Sequence, residues 1–279
     1  MTDRLALVVR KDFGDSIREN HIYYVGTLFV LIALALGYLG GSNSGAGIEF
    51  VAPMIATFVF LVTVTTLTIS HDAISDKWVS GELTVMLGLP ISRRDVVYGS
   101  VLGRTAVVGT VTVASMILAT LVAVVLGASP DFALLLAGTV GLLVLTLIFA
   151  SLAVAFSTLS DSTTISSTAA FGAFALFVFQ LWSIAPGLLN FVFDRVGVPT
   201  IPSDAIDVWN NLTPFAAVRN AVTGVVPDAG DALGVFAAGS VPSSSPPAYQ
   251  HPAVGALVVI FWIAVPVTLG YLRFKRDDL

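Results

Sequence analysis

Charged side chains are scarce in this chain, making up only 11% of its 279 residues, while 56% of the residues are hydrophobic and the mean hydropathy is +0.92. A soluble globule of this size needs more polar surface to cover its core. The long apolar segments are also apolar around their whole circumference, whereas helices of soluble proteins carry an apolar stripe on one face. The composition therefore predicts an integral membrane protein.

Cysteine is absent and histidine occurs only three times. Without cysteine the chain has no disulfide, no thiolate metal site and no thiol nucleophile. The histidines His21, His71 and His251 fall at the ends of apolar segments, so a haem held between membrane helices is not expected. No H-E-x-x-H motif occurs, and no histidine inside an apolar segment could pair with a serine nucleophile. We therefore expect no cofactor, no metal and no catalytic site.

Lysine is nearly as rare, and none of the three lysines follows a glycine. A P-loop needs that order, because its backbone N–H groups surround the phosphates while the lysine ammonium reaches their outer oxygens. The chain is thus not expected to hydrolyse ATP, and any transport driven by ATP would need a second polypeptide. We also expect no nucleic-acid partner.

Six apolar segments are long enough, or nearly so, to cross a hydrocarbon core of ~30 Å at 1.5 Å per helical residue. They comprise residues 22–39, 50–69, 106–126, 132–159, 165–188 and 253–272. None has an ionisable residue well inside it, the usual mark of an ion or proton pathway. The predicted fold class is all-α: one domain over residues 1–279, built as a bundle of six transmembrane helices.

The basic residues are distributed asymmetrically about these segments. Four of the thirteen precede the first segment, four lie between the second and third, and three follow the sixth. Because cytoplasmic flanks collect Lys and Arg, both termini and the second-to-third connection are predicted to be cytoplasmic. The first 21 residues lack the apolar core of a cleavable signal peptide. We expect a multi-pass protein in the cell membrane of a prokaryote.

Residues 1–21 have the pattern of an amphipathic helix. Leu5, Val9, Phe13 and Ile17 recur every four residues, with Val8 beside them, and polar side chains occupy the other faces. This pattern predicts a helix of about 16 residues lying in the inner membrane interface.

Residues 71–104 form a second cytoplasmic feature, in which apolar residues alternate with polar ones and with glycines. This composition predicts short helices along the membrane surface. Ser92 is a predicted N-cap with Asp95 at the third helical position, and Ile91 is expected to pack onto Val96. The arginines that follow would meet lipid phosphates or acidic groups of a partner. A third feature is the tight turn at 160–164, whose only charge is Asp161.

The external segment, residues 189–252, is too long for a passive connection. Ser203 and Thr213 are predicted to cap two short helices, and a third is expected over 228–238. The middle helix has an apolar face that could enter the outer leaflet, and the residues after 239 resemble a proline-rich strap. Asn211 begins an N-x-T sequon on the external side.

The order of these parts resembles an ABC-2 type transporter permease over essentially the whole chain. In that family a Gly-Thr-Leu-rich stretch and a Pro-x-Ser-Arg motif precede the third helix. Here the matching residues are Gly81, Leu83, Leu87, Pro90, Ser92 and Arg93, whereas Glu82 stands where threonine is usual. The external segment similarly contains a Pro-x-x-Ala-x-Arg stretch from Pro214 to Arg219. The resemblance is closest to the branch associated with multicopper-enzyme or nitrous-oxide-reductase maturation.

The resemblance implies that two such permeases pair and that two cytoplasmic ATPase subunits dock beneath them, with residues 84–90 as the coupling helix. The docking residues that it implies are Trp78, Gly81, Glu82, Leu83, Leu87, Pro90, Ser92, Arg93 and Arg94, with Asp161 in a second inner turn. Export of an unidentified substrate is the expected function. An ion-coupled secondary transporter that binds through broken helices and a non-transport membrane scaffold stay open as alternatives.

Overall fold

The computed structural model describes residues 2–18, 20–42, 47–88, 91–239 and 246–276, and every element of these ranges is a helix. The all-α prediction is confirmed. In chain order the elements are α1 (Thr2–Arg18), α2 (Asn20–Ser42), α3 (Gly47–Ser70), α4 (Ser75–Val79), α5 (Glu82–Leu87), α6 (Arg93–Val125), α7 (Phe132–Thr158), α8 (Thr163–Val178), α9 (Leu181–Val196), α10 (Ser203–Asn211), α11 (Pro214–Thr223), α12 (Ala229–Leu233), a 3₁₀ turn (Ala248–Gln250) and α13 (Pro252–Phe274).

Five stretches of the described chain are long and apolar enough to cross a membrane. They are Ile22–Ser42, Glu49–Val79, Arg93–Val125, Phe132–Thr158 and Pro252–Phe274, and they coincide with the first four and the last of the predicted segments. The chain is therefore a multi-pass membrane protein.

The predicted fifth segment is not one helix. The chain bends by 72° between α8 and α9, and Gln180 at the bend has a left-handed backbone with φ of 56°. A side chain with a Cβ is strained in that conformation, so the continuous helix expected over 165–188 was wrong. The sequence did not indicate a break in this apolar segment, because its proline, Pro186, lies inside α9 rather than at the break. By length and composition, the described residues thus contain five candidate spans, or six if the bent pair crosses once.

The core lies where α3 packs between α6, α7 and α8, with α2 covering α6 and α13 covering α7. Aromatic pairs connect these layers. The rings of Phe29 and Phe58 meet edge to face at 5.7 Å between α2 and α3, and those of Phe149 and Phe215 are 5.5 Å apart between α7 and α11. All four rings are fully buried, so the external segment shares the core of the transmembrane bundle.

The first part of helix α11 is buried in the protein, whereas Val225, just beyond its end on the predicted apolar face, is 82% exposed. Contact of this face with the outer leaflet stays a prediction. Phe215 and Val218 on that face are inaccessible, because α11 packs directly on α13. A Cβ at Gly255 of α13 would lie 2.8 Å from the carbonyl oxygen of Ala217, so this close contact requires glycine.

The caps of the external helices were predicted with mixed success. Thr213 caps α11 as expected, since its hydroxyl accepts from the backbone N–H of Ala216 at 3.3 Å and Pro214 is the first helical residue. Ser203 was predicted as a cap but is the first residue of α10, with Pro202 in the cap position and no side-chain cap bond. The third helix, α12, is shorter than the predicted 228–238. Residues 240–245 of the proline-rich strap lie outside the described residues.

Candidate functional site

The predicted docking segment folds as two short helices, α4 and α5, between the end of α3 and the start of α6. Gly81 separates them with φ of 75°, a conformation that glycine adopts without strain. This arrangement confirms the short helices expected over 71–104. Pro90 lies outside the described residues.

The inner face of α5 is apolar and buried, whereas the buried residues of α4, Ser75 and Lys77, are polar. Leu83 and Met86 of α5, with Ile74 before α4, pack into a cluster with residues of α6, α7 and α13. The other buried members of this cluster are Ala73, Val96, Val97, Val101, Val154, Val267 and Phe274. Trp78 and Leu87 lie against the same cluster and are partly covered. Of the predicted docking residues, Leu83 is thus in the protein's own core and has no exposed surface.

Hydroxyl groups connect the start of α4 to the α7–α8 turn. The Ser157 hydroxyl of α7 accepts from the backbone N–H groups of Ile74 and Ser75, both at 2.9 Å, and donates to Ser75 Oγ at 3.2 Å. Ser166 of α8 donates to the same Ser75 hydroxyl at 3.3 Å. The turn that carries the exposed Asp161 is therefore attached at both of its ends to the docking segment.

A buried group of three charges joins α1 to α4 and α6. Lys77 Nζ of α4 donates to Asp12 Oδ1 of α1 at 2.8 Å, and Arg104 Nε of α6 lies 3.3 Å from Asp12 Oδ2. None of the three side chains is more than 11% exposed. A Cβ at Gly103 would lie 2.7 Å from Asp12 Oδ2, so a glycine in α6 provides the space that this carboxylate occupies.

The buried face of α1 differs from the predicted apolar stripe. Val8, Asp12 and Ser16 are buried against α6, whereas Ile17 of the predicted stripe is exposed, and its other members are only partly covered. The polar Asp12 faces inward because its carboxylate pairs there with the buried side chains of Lys77 and Arg104. A pattern based on apolar residues alone cannot show such a pairing. The helix itself was predicted correctly, with 17 residues. Its place in the membrane interface stays a prediction.

A second, exposed contact connects α1 to α5. Lys11 Nζ donates to Glu82 Oε1 at 2.5 Å and to Asp15 Oδ2 at 2.9 Å. Partial burial lowers the pKa of Lys11, but the hydrogen bonds from Glu82 and Asp15 outweigh this effect, so the pKa is raised. Glu82, the residue that departs from the usual family pattern, thus bonds within its own chain.

The start of α6 has the predicted cap. Ser92 Oγ accepts from the Asp95 backbone N–H at 3.2 Å, and Asp95 Oδ2 accepts from the Ser92 backbone N–H at 3.1 Å. Both bonds of a capping box are therefore present. Ile91 packs against the apolar cluster that contains Val96, as the predicted staple requires.

The two arginines after this cap have different surroundings. Arg93 donates to the carbonyl oxygen of Phe274 at 2.6 Å and lies over the Phe274 ring, so it connects α6 to the last turn of α13. Arg94 is exposed and lies 5.4 Å from the centre of the Tyr98 ring. Of the two, only Arg94 is exposed.

Sequence reasoning missed the two residues that dominate the outer face of the segment. Val79 is 64% exposed and Val85 is 70% exposed, while Thr84 between the buried positions is also exposed. At about 100° per residue, position 85 lies about 160° from position 83 and about 100° from position 86, so the burial of Leu83 and Met86 leaves Val85 on the outer side. In so short a helix, the apolar positions alone did not show which face was the inner one.

A buried arginine at the other end of the molecule was also missed. Arg219 of α11 is 1% exposed. It donates to the side-chain oxygens of Asn211 and Asn220, both at 3.2 Å, and to the carbonyl oxygen of Gly239 at 3.3 Å. Asn211 is buried with it, so the sequon is inaccessible in the folded protein. An arginine surrounded by apolar residues, with asparagines nearby, is the signal that could have indicated this network.

Comparison with known proteins agrees with this architecture. The chain matches the family described as "ABC-2 family transporter protein" over residues 6–279. It is 26% identical over 181 residues to the protein of Pseudomonas aeruginosa named "Probable ABC transporter permease protein NosY", a match covering 61% of this chain and 66% of that protein. It is also 26% identical over 102 residues to the protein of the same name from Stutzerimonas stutzeri, covering 35% and 37% respectively. The match spans less than two thirds of either relative, and their shared name agrees with the expected branch.

Proposed function

The chain belongs to the ABC-2 transporter family and is the membrane subunit of an ABC transporter, and from this premise we propose that it moves its substrate using ATP hydrolysed by a separate cytoplasmic ATPase. Two copies of the permease and two of the ATPase would form the complete transporter, as the family resemblance implies. The relatives named as ABC transporter permeases support the association with an ABC ATPase. We further propose that the chain resides in a prokaryotic cell membrane with both termini inside, and that it exports its substrate.

The outer face of α4 and α5, together with the exposed Arg94 in the first turn of α6, is the proposed ATPase-docking surface, which we define as Asp76, Val79, Thr84, Val85 and Arg94. The single observation that carries the proposal is the exposure of Val79 and Val85 on two short helices whose neighbouring side chains are buried in the protein. Exposed apolar side chains rimmed by polar ones are typical of protein–protein contact sites. The charges at positions 76 and 94 would orient the partner.

Contacts behind the docking surface provide a route from the ATPase to the transmembrane helices. The segment is attached to α1 through Asp12, to α7 and α8 through Ser157 and Ser166, and to α6 and α13 through the Leu83 cluster. A displacement of α4 and α5 would therefore be shared by five helices at once. Rigid-body shifts of packed helices are a common way in which ATP binding changes a transporter's conformation.

Substitution of Val85 tests the docking surface. Val85→Asp places a charge where the partner's apolar groove would cover it, so co-purification of the cognate ATPase should fall by more than tenfold. Val85→Ala should reduce it only slightly, and Val198→Asp, at an exposed valine of the external segment, should leave it unchanged. Leu87→Asp is less suitable, because Leu87 also packs on the protein's own core. ATPase recovery that is equal for Val85→Asp and wild type would remove α5 from the interface.

One observation favours the ion-coupled alternative, namely the break between α8 and α9. Broken helices in secondary transporters expose backbone groups that bind ions, and the left-handed Gln180 interrupts the helix at such a place. A transport assay in proteoliposomes that contain permease and ATPase distinguishes the two functions. Substrate transport by an ABC transporter continues when ionophores collapse every ion gradient and stops when ATP is withheld. Transport by a secondary transporter stops when the gradients collapse and continues without ATP.

A further inference from the structure

An apolar cavity of about 610 Å³ lies between α7, α13 and the tryptophans of α9 and α10. Seven of its fourteen lining residues belong to α13, three belong to α7 with Leu159 directly after it, and the others are Trp182, Trp209 and Leu212. No lining residue is charged. The volume falls within the range of cavities that bind small molecules, so the space is large enough for a substrate.

The indole N–H groups at the tryptophan side of this cavity are all used within the protein. The Trp182 and Trp209 rings are stacked 4.1 Å apart, and each N–H donates to the other residue's backbone carbonyl, at 3.0 and 2.9 Å. The Trp262 N–H donates to the carbonyl of Leu212 at 2.8 Å. The rings therefore present flat apolar surface to the cavity, and their orientation is set before any ligand enters.

One backbone carbonyl at the cavity wall lacks its helical partner. In a regular helix the carbonyl of residue 262 accepts from the N–H of residue 266, but Pro266 lies inside α13 and proline has no N–H. Trp262 and Pro266 both line the cavity, so this gap in the hydrogen bonding faces it. An acceptor without a partner in apolar surroundings is costly. The site therefore favours a ligand that brings one N–H or O–H donor.

The cavity opens sideways along α13. Both of its long walls belong to helices that are long and apolar enough to cross a membrane, and Leu257, Phe261 and Leu269 on α13 are each more than half exposed. A ligand that enters here comes from the hydrocarbon of the bilayer, where a charged molecule has a large desolvation cost. The matching occupant is therefore uncharged and mainly apolar.

Both walls of the cavity end at contacts with α4 and α5. At the end of α7, Ser157 accepts from two backbone N–H groups at the start of α4, both at 2.9 Å. In α13, Val267 and Phe274 pack in the cluster that buries Leu83 of α5. A displacement of α4 and α5 would therefore move both walls together and change the shape of the cavity.

We propose that this cavity is the substrate site of the transporter, and that the substrate is an uncharged, mainly apolar molecule with one hydrogen-bond donor. This assignment rests on the proposed function, since it takes the chain as the membrane subunit of an ABC transporter. The substrate enters from the membrane, lies against the tryptophan rings and donates to the carbonyl of Trp262. When the ATPase moves α4 and α5, both walls shift and the substrate is released.

Binding of a fluorescent probe to the permease alone tests the site. N-phenyl-1-naphthylamine is uncharged and apolar, has one N–H donor and accepts excitation energy from tryptophan. The Trp78→Phe variant retains only the three cavity tryptophans, so energy transfer to the probe in nanodiscs should saturate at one probe per chain. Val265→Phe, added to this variant, fills part of the cavity and should weaken binding about tenfold. Ile260→Phe is the matched control, because Ile260 lines a separate groove beside α13, and it should leave the affinity unchanged.

Three outcomes of this experiment would overturn the substrate site. Energy transfer that does not saturate would show that lipid chains occupy the cavity and that the probe is only dissolved in the bilayer. Equal affinity in Val265→Phe and Ile260→Phe would place the probe elsewhere. Disulfide cross-linking between two chains that carry cysteine at position 265 would show that a second copy covers the cavity.

Two analogues of the probe test the proposed substrate class. 1-Phenoxynaphthalene has an oxygen in place of the N–H and should bind about fivefold more weakly than the probe. Pro266→Ala supplies the missing backbone N–H to the Trp262 carbonyl and should abolish this difference. 8-Anilino-1-naphthalenesulfonate adds a negative charge and should bind more weakly by at least about tenfold. Equal affinity of the three compounds for the wild type, or a donor preference that Pro266→Ala leaves intact, would contradict the assignment.

ATP hydrolysis by the complex with the cognate ATPase separates this assignment from the proposed function. N-phenyl-1-naphthylamine should stimulate hydrolysis in wild type and in Ile260→Phe, and half-maximal stimulation should need about tenfold more probe in Val265→Phe. A complex that hydrolyses ATP but does not respond to the bound probe would overturn the substrate site and leave the ABC function standing. If no ATPase assembles with the permease, the proposed function fails, and the substrate assignment fails with it even where the probe binds.

Discussion

Neutralising Asp12 should release α1 from α4 and α6. Asp12→Asn keeps the shape of the side chain but leaves Lys77 and Arg104 as two buried cations without a counter-charge. All three side chains are almost inaccessible, so solvent cannot compensate for the loss. Removing one partner of a buried ion pair typically costs about 3 to 5 kcal/mol. Because an asparagine oxygen can still accept one hydrogen bond, we expect about 3 kcal/mol.

The exposed pair between α1 and α5 is the control. Glu82→Gln removes a contact of 2.5 Å, which is shorter than the 2.8 Å contact of Asp12 with Lys77, but the Lys11 and Glu82 side chains are 46% and 40% exposed. Exposed ion pairs contribute about 0 to 1 kcal/mol and are screened by salt. Burial, and not distance, should therefore decide which contact contributes more to the stability of α1 on the bundle.

Hydrogen exchange of the α1 backbone, followed by mass spectrometry in nanodiscs, measures both effects. Protection in α1 should fall about a hundredfold in Asp12→Asn, which corresponds to about 3 kcal/mol, and by less than about fivefold in Glu82→Gln. High salt should abolish the small loss of protection in Glu82→Gln and leave the large loss in Asp12→Asn unchanged. Equal losses in the two variants would refute the reasoning from burial, and so would unchanged protection in Asp12→Asn.

Three further predictions concern other parts of the chain. Ser92→Ala should cost about 1 kcal/mol and weaken the coupling of ATP hydrolysis to transport while ATPase binding stays near normal, and Ser92→Asp should retain function. Arg219→Met should lower the thermal unfolding temperature markedly, since it leaves buried asparagine oxygens without a donor, and equal stability would show that the network is dispensable. Single cysteines, introduced into a chain that has none, should react with an impermeant external reagent at Ser129 but not at Ser80 or Ser162, and external labelling at Ser80 would reverse the orientation.

Apolar runs and local caps were predictable from the sequence because each depends on residues close together in the chain. The five long helices needed only hydrophobicity and length. The capping box of Ser92 and Asp95 needed only a spacing of three residues. The cap at Thr213 was equally local, since a threonine followed by proline is a strong start signal.

Features that depend on distant residues were not predictable in this way. The inward orientation of Asp12 was not predicted, because its partners Lys77 and Arg104 are 65 and 92 positions away in the chain. Leu83 was assigned to a partner interface for the same reason, since the cluster that buries it comes from three other helices. The left-handed Gln180 carries no local signal, because neither glycine nor proline stands at the break.

Site-specific photo-cross-linking tests the central proposal, that the outer face of α4 and α5 docks an ATPase, most directly. A photoreactive residue placed in turn at positions 79, 83 and 85, in membranes that also contain the cognate ATPase, reports which side chains the partner covers. We predict cross-links to the ATPase from positions 79 and 85, and none from the buried position 83 or from position 198 of the external segment. Cross-links that are absent at 79 and 85, or that form equally at 198, would contradict the proposal.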